Sequence, residues 1–298
     1  MIEGQEGLNW ERWRRICADV ERLGFASLRR SDHLISLMGP STSERDCIEC
    51  WTSLALAAEW TKKIEIGPMV SPMTFRFPSV LAKIAASVDA LSGGRLILGV
   101  GAGWNENEHT VFDIPFLTQK ERFDLFEEGI PKMREIWAKT NPKPARNPIP
   151  LLVGGKGTRR TLPIAAREAA EWNSSRLDPD EFREGSEVLD RCCNEIGRDP
   201  ATIKRSVMTS YIIGRDREEQ LKRANKVREI IPSLGSMSPE EVLVNRKDAW
   251  FVGTPEEVAA RMRELGKIGI ELFMLQHFLL DDSEALEMLG KEVVPAVA

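Results

Sequence analysis

The sequence has few cysteines, few histidines and no long apolar run. Its 298 residues include five cysteines, an odd number that favours reduced thiols over a disulfide framework. Cys47 and Cys50 form a C-x-x-C pair, but no second pair follows at zinc spacing, and the three histidines lack the spacing of a metal site. We therefore expect structural cysteines and predict no metal ion.

Other absences restrict the location and the partners of the protein. No apolar run approaches the ~18 residues that cross a membrane, and the first segment, MIEGQEGLNW, lacks the basic and apolar regions of a signal peptide. These features predict a cytoplasmic protein with no membrane partner. The net charge of −5 is spread without a Lys or Arg block, so nucleic acid is not expected as a partner either.

The segment LAKIAASVDALSGGRLILGVGAGW, residues 81–104, combines a helix, a glycine turn and a strand. Apolar side chains recur at helical spacing from Leu81 to Leu91 and predict a helix with one buried face. Gly93 and Gly94 favour the left-handed conformation that ends a helix. The following apolar run, 96–100, lacks polar alternation and predicts a strand buried on both faces, as in a parallel sheet covered by helices.

This strand ends in Gly101, Ala102, Gly103 and Trp104, and glycines there allow a ligand to approach the backbone closely. Ligands in α/β folds bind at the carboxyl ends of strands, which predicts a binding site at this position. The spacing is not the dinucleotide motif G-x-G-x-x-G, because Glu106 takes the place of the last glycine. The alternative is a tight strand exit that binds nothing.

The rest of the chain alternates in the same way. Helices are predicted at 10–23, 47–60, 78–92, 120–138, 158–170, 180–196, 218–231, 255–267 and 283–293, with a loop after residue 104. Strands are predicted at 1–4, 25–30, 64–70, 96–100, 151–155, 172–175, 205–213 and 271–276. About eight strands with intervening helices predict an α/β fold of the (β/α)8 TIM-barrel type, in a single domain over 1–298.

Six segments together suggest a family. They are SDHL at 31–34, GPMVSPMTFRFP at 67–78, LAKIAASVDALSGGRLILGVGAGWNENEH at 81–109, LLVGGKGTRRTLPIAARE at 151–168, GRDP at 197–200 and VGTPEEVAARM at 252–262. In this order they cover nearly the whole chain, which resembles the luciferase-like monooxygenase superfamily and, within it, the branch that uses the deazaflavin coenzyme F420. The resemblance implies a (β/α)8 barrel with insertion segments.

The resemblance also implies roles for individual residues. It assigns Asp32 to contact with the deazaflavin ring and His33 to the substrate's hydroxyl proton, as the catalytic pair. Met69 and Val70 fall where the family has a non-prolyl cis peptide behind the ring. The loop after the strand at 151 is expected to hold the cofactor phosphate through its N–H groups, helped by the positive end of a helix starting at Thr158. The implied cofactor-binding residues are Asp32, Met69, Val70, Ser71, Gly101, Ala102, Gly103, Trp104, Asn107, Gly154, Gly155, Gly157 and Thr158.

Departures from the family pattern change what is expected of the substrate and of the residues around the site. Trp104 stands where the sugar-phosphate dehydrogenases of the family carry a glutamate, which disfavours sugar-phosphate oxidation. The connection between Trp137 and Leu151 is shorter than usual, so part of the substrate cover is expected to be missing. Glu171 replaces the usual aspartate before the W-N pair, and the first strand is expected to be short.

Several neighbouring side chains are given structural roles. Glu108 is expected to satisfy backbone donors near the strand end, and Arg76 to form an ion pair or to cap a helix. Trp104 is expected to wall the substrate pocket, whereas Trp137 and Trp172 are expected in the core.

The favoured function is that of an F420-dependent oxidoreductase, which moves a hydride between a small organic substrate and C5 of the deazaflavin. His33 then exchanges the accompanying proton. One alternative is an FMN-dependent monooxygenase of the same superfamily, and another is a noncatalytic barrel that binds a flavin or another ligand. A homodimer is expected, as is common in the family.

Overall fold

Helices and parallel strands alternate along the chain in the computed structural model, which describes residues 1–38 and 45–297. The strands are β1 Ser27–Arg30, β2 Glu65–Pro68, β3 Ser71–Pro72, β4 Leu98–Gly101, β5 Leu151–Gly154, β6 Glu171–Ser174, β7 Lys204–Ile213, β8 Phe251–Gly253 and β9 Leu272–Gln276. β1 pairs with β2, and a second sheet runs in the order β3-β4-β5-β6-β7, with β8 and β9 both paired to β7. Every one of these ladders is parallel.

Two hydrogen bonds join the two sheets between β2 and the residues just before β4. The Ile66 N–H in β2 donates to the Arg95 carbonyl at 3.0 Å, and the Ile66 carbonyl accepts from Ile97 N–H at 2.9 Å. These bonds connect β2 to the residues just before β4. The ring of strands therefore continues here through one isolated bridge instead of a full ladder.

The other gap, between β9 and β1, is crossed by the first residues of the chain. Ile2 N–H donates to the Arg29 carbonyl at 2.8 Å, and His277 N–H donates to the Met1 carbonyl at 2.9 Å. The predicted strand at 1–4 is thus reduced to a bridge between Ile2 and Arg30. Within the described residues, isolated bridges and not full ladders join the two sheets, so the predicted eight-strand barrel is not present as one continuous sheet.

Helices cover the outside of the sheets. They are α1 Trp10–Arg22, α2 Cys50–Trp60, α3 Pro78–Ser92, α4 Glu106–Val111, α5 Gln119–Lys139, α6 Thr161–Glu168, α7 Pro179–Glu195, α8 Arg217–Ile230, α9 Pro239–Arg246, α10 Pro255–Gly266, α11 Ser283–Met288 and α12 Val294–Val297. The predicted cap of α1 is present, because the Asn9 side chain accepts from Arg12 N–H. Gly93, at φ 69°, ends α3 in the left-handed conformation expected for it.

Some predicted boundaries and elements were wrong. α2 begins at Cys50 and not at residue 47, because Glu49 caps it by accepting from Thr52 N–H. The predicted strand at 64–70 is shortened to β2, and β3 begins beyond its predicted end. The loop predicted after Trp104 contains α4, which is capped by Asn105 but is too short to show a helical period. α9 and β8 were also missed.

The core contains the large aromatic side chains that the sequence assigned to it. Trp137 and Trp172 are both buried. Trp137 Nε1 donates to the Ala82 carbonyl at 2.9 Å, and the Trp172 ring stacks on Phe182 at 5.5 Å between centroids. Burying such rings with their N–H groups satisfied stabilises the packing of α5 on α3 and of α7 on β6.

Candidate active site

Asp32 lies just beyond the carboxyl end of β1 and is almost fully buried. Its Oδ2 accepts from Ser71 Oγ at 2.6 Å and from Arg76 Nη1 at 2.7 Å, while its Oδ1 accepts from Arg76 Nη2 at 3.2 Å. Arg76 also donates to Glu49 at 2.7 Å. Arg76 therefore forms the expected ion pair, and the Asp32 carboxylate is held between three donors.

His33 is paired with Glu108 across the carboxyl edge of the sheet. Its Nδ1 lies 2.7 Å from Glu108 Oε2, and the Leu34 N–H donates to Glu108 Oε1 at 2.6 Å. Glu108 thus satisfies a backbone donor, as expected, and contacts a histidine that the sequence did not connect to it. The Trp104 ring meets the His33 ring edge-on, with 5.9 Å between centroids, and Trp104 is 66% exposed.

The electrostatic surroundings of His33 are acidic. Burial lowers the pKa of His33, but the hydrogen bond and the charge of Glu108 act in the opposite direction. The charges of Glu3 and Asp32 add to this effect, so the pKa of His33 is raised above its ordinary value. Its side chain keeps an exposed fraction of 16%, which leaves the ring reachable from solvent.

Val70 follows a non-prolyl cis peptide, Met69-Val70, at the position that the resemblance implied. Its side chain fills the space in front of three glycines. A Cβ on Gly99 would lie 3.1 Å from Val70 Cγ1, one on Gly101 2.8 Å from Cγ2, and one on Gly154 3.2 Å from Cγ1. A Cβ on Gly101 would therefore meet Val70, and the assignment of Gly101 to the cofactor stays a prediction.

The loop after β5 differs from the expected phosphate site. The Gly155 N–H donates to the Asn173 carbonyl at 2.9 Å, so it is not free for a phosphate. The N–H groups of Lys156, Gly157 and Thr158 in this loop have no backbone acceptor within the described residues. The exposed Arg159 follows them, whereas its neighbour Arg160 is paired with Asp124 and Glu127.

The helix after this loop begins later than predicted. α6 starts at Thr161, so Thr158 lies in a turn and not at a helix N-terminus. A Cβ on Gly157 would lie 2.8 Å from Thr161 Oγ1, which explains a glycine there by packing against the start of α6.

The remaining predicted residues lie around the end of β4. Gly103, at φ 79°, approaches Thr74, whose Oγ1 a Cβ would meet at 2.5 Å. Ala102 is half-buried and packs against the core, whereas Asn107 is exposed in the first turn of α4. The contacts described above bring Asp32, His33, Ser71 and Trp104 together, and no described contact connects Asn107 or Thr158 to them.

Two cavities lie away from these residues. One, of about 740 Å³, is lined by charged side chains of α8 and of the segment after β9. The other, of about 590 Å³, is mostly apolar and lies between β1, β9 and the C-terminal helices.

Within residues 1–38 and 45–297, no three His, Cys, Asp or Glu side chains are grouped to hold a metal ion. No helix of this part is long and apolar enough to cross a membrane.

Comparison with known proteins identifies the family. Residues 2–272 match the model described as Luciferase-like monooxygenase. The chain belongs to this family. Among its relatives, the FMNH(2)-dependent dimethylsulfone monooxygenase of Pseudomonas putida is 26% identical, over 80% of this chain and 75% of the relative. The F420-dependent glucose-6-phosphate dehydrogenase of Amycolatopsis mediterranei (strain U-32) is 26% identical, over 93% and 91%.

Solved structures agree on the fold. An F420-dependent secondary alcohol dehydrogenase, solved with an F420-acetone adduct, superimposes with a TM-score of 0.78 at 19% identity, covering 96% of this chain and 94% of its own. The sequence expectation of a luciferase-like α/β fold is confirmed.

The luciferase-like site has features that fit a planar ring bearing a phosphate. Val70 is half-buried and lies against the glycines of β4 and β5, beside Ser71 and Asp32. At the end of β5, the free N–H groups of Gly157 and Thr158 lie next to a cationic side chain, and such groups bind anions. These two features suit F420 and FMN alike.

Proposed function

We propose that this protein is an F420-dependent oxidoreductase that acts on a small organic substrate, with His33 exchanging the proton that accompanies the hydride. The observation that carries this proposal is the pairing of a partly exposed histidine with a fully buried carboxylate, His33 with Glu108, at the carboxyl edge of the sheet. A histidine titrates near neutral pH and can serve as the proton acceptor or donor in such a step. Support also comes from the F420-dependent relatives described above.

Each residue of the site has a task in this proposal. When bound, the deazaflavin supplies the carbon that accepts or donates the hydride. Val70 and Ser71 would support one face of its ring, and Asp32 would hold the Ser71 hydroxyl through the 2.6 Å hydrogen bond. His33 takes the hydroxyl proton of the substrate as the alcohol becomes a carbonyl, and it returns a proton in the reverse direction. Trp104 would wall the substrate on the side of His33.

The phosphate of the cofactor is assigned to the loop after β5. The N–H groups of Gly157 and Thr158 and the side chain of Arg159 are the donors available there. A small-molecule substrate, a homodimeric assembly and a cytoplasmic location complete the proposal.

The second candidate is an FMN-dependent monooxygenase. It is favoured by the family itself and by the dimethylsulfone monooxygenase relative. Titration of the purified protein with F420 and with FMN, followed by quenching of cofactor fluorescence, distinguishes the two. We expect F420 to bind at least about tenfold more tightly, a difference of ~1.4 kcal/mol. Tighter binding of FMN would favour the monooxygenase, and binding without turnover of any alcohol, aldehyde or enone would favour a noncatalytic barrel.

A further inference from the structure

Glu108 is buried with both carboxylate oxygens engaged by donors. Its side chain has no exposed surface, Oε1 accepts from the Leu34 N–H at 2.6 Å, and Oε2 lies 2.7 Å from His33 Nδ1. It is held on α4, whose N-cap, Asn105, accepts from the N–H of Glu108 itself. The carboxylate is therefore fixed from its backbone as well as from its oxygens.

The pattern of donors and acceptors determines the tautomer of His33. An ionised carboxylate accepts hydrogen bonds and donates none, so the ring nitrogen facing Glu108 must carry a hydrogen. In the neutral imidazole the other nitrogen, Nε2, is then the unprotonated acceptor. No hydrogen bond within the described residues occupies His33 Nε2.

We propose that Glu108 is a positioning residue that acts through His33: it holds the hydrogen on Nδ1 and thereby presents Nε2 to the substrate as the proton acceptor. This inference rests on the proposed function only for its effect on turnover. The hydrogen-bond arrangement itself can be measured in the protein without any cofactor or substrate.

A glutamine at position 108 would change this arrangement. A carboxylate accepts both from Leu34 N–H and from His33 Nδ1–H, whereas a carboxamide has one acceptor oxygen and one NH2 donor. If the amide oxygen keeps the bond to the Leu34 N–H, its NH2 group faces Nδ1. The His33 hydrogen must then move to Nε2, the nitrogen that the substrate needs free. The opposite orientation would place the NH2 group against the Leu34 N–H, two donors facing each other in a buried position.

Other charged groups also face His33, and a test must distinguish their effects on His33 from the effect of Glu108. Asp32 precedes it in the chain, Glu3 approaches from the first residues of the barrel, and both raise the pKa of His33. The Cys47 thiol donates to the His33 carbonyl at 3.4 Å and does not reach the ring. Because none of these groups accepts from Nδ1, Glu108 alone among the residues that the structure describes determines which nitrogen carries the hydrogen.

The experiment is 15N NMR of the histidine rings in the cofactor-free protein, recorded above the pKa of His33 so that the ring is neutral. The protein has three histidines, and the signals of His33 are assigned by their loss in a His33→Gln variant. We expect the hydrogen on Nδ1 in the wild type and on Nε2 in Glu108→Gln. Glu106→Gln is the matched control, because Glu106 is an exposed glutamate of the same helix, and it should leave the wild-type pattern unchanged.

The outcomes are distinct. A wild-type His33 with its hydrogen on Nε2 would overturn the proposal, and this measurement stands even if Glu108→Gln does not fold. A Glu108→Gln protein that keeps the hydrogen on Nδ1 would overturn it as well. With F420 and a substrate, kcat should fall by roughly tenfold or more in Glu108→Gln, while the Kd for F420 stays unchanged. A reversed tautomer with an unchanged kcat would support the role of Glu108 in orienting His33 and refute the role of His33 in proton exchange.

Discussion

Val70 occupies the space in front of Gly101, where a Cβ would lie only 2.8 Å from Val70 Cγ2. The side chain that follows the cis peptide is thus fixed by the absence of side chains on the neighbouring strand. Since Gly99 and Gly154 face the same valine, three glycines from two strands determine its position. The position of Val70 can therefore be tested by substituting these glycines, which need not contact a ligand themselves.

Gly101→Ala should displace Val70 and weaken cofactor binding. An added methyl group in this packed site costs about 1–3 kcal/mol of the free energy of unfolding. The displaced valine should also raise the Kd for the preferred flavin by about tenfold. Chemical denaturation and fluorescence titration measure the two effects. Gly266→Ala is the control, because a Cβ there meets nothing within 4 Å. A Gly101→Ala protein with wild-type affinity would show that Val70 does not support the ring.

The glycines also show what the sequence could and could not predict. Their positions at the ends of β4 and β5 predict a binding site at the carboxyl edge, and this site stays a prediction. The contact with Val70 could not be read from the sequence, because Val70 lies in the short connection between β2 and β3, outside the strands that carry the glycines. The parallel α/β architecture was predictable, since buried apolar strands and amphipathic helices alternate at regular spacing.

The contacts within the site were harder to predict. His33 and Glu108 are 75 residues apart, and neither the helical period nor a cap signal joins them. The Asn105 cap of α4 was a usable signal for that helix, but six residues are too few for periodicity to show. Thr158 was placed on a helix because apolar spacing does not distinguish a preceding turn from the first helical turn.

The phosphate assignment predicts a charge effect at Arg159. Arg159→Glu places a carboxylate beside the free N–H groups of the loop and should raise the Kd for F420 by about tenfold or more. The Kd for the deazaflavin without its phosphate should not change, because we propose that its ring binds against Val70. Arg191→Glu is the matched control, being an exposed arginine on α7. Equal losses for both forms of the cofactor would place the phosphate elsewhere.

His277 predicts a loss of stability in mild acid. Burial lowers its pKa to about 4, and its Nδ1 lies 2.6 Å from Tyr211 Oη. The unfolded chain binds the proton near pH 6.5, the ordinary value, whereas the folded protein binds it only near pH 4. The free energy of unfolding should therefore fall by up to about 3 kcal/mol between these two pH values. Denaturation measurements across this pH range give the free energy of unfolding at each pH. That free energy should depend less on pH in His277→Gln than in the wild type. An equal pH dependence in both proteins would exclude His277 as the cause.

The central prediction separates an enzyme from a binding barrel through His33. His33→Gln keeps an N–H donor for Glu108 but has no group that exchanges a proton near neutral pH. The Kd for F420 should remain within about twofold of the wild type, and kcat should fall by about 10²- to 10⁴-fold.

For alcohol oxidation, wild-type kcat/KM should rise with pH through the raised pKa of His33, because the neutral ring accepts the proton. That rise should be absent in the variant. His109→Gln controls for the loss of a buried histidine, since His109 bonds to the Asn105 carbonyl and Thr74 and not to the substrate space. A His33→Gln enzyme that turns over its substrate at the wild-type rate would require the proton to come from water or from another group.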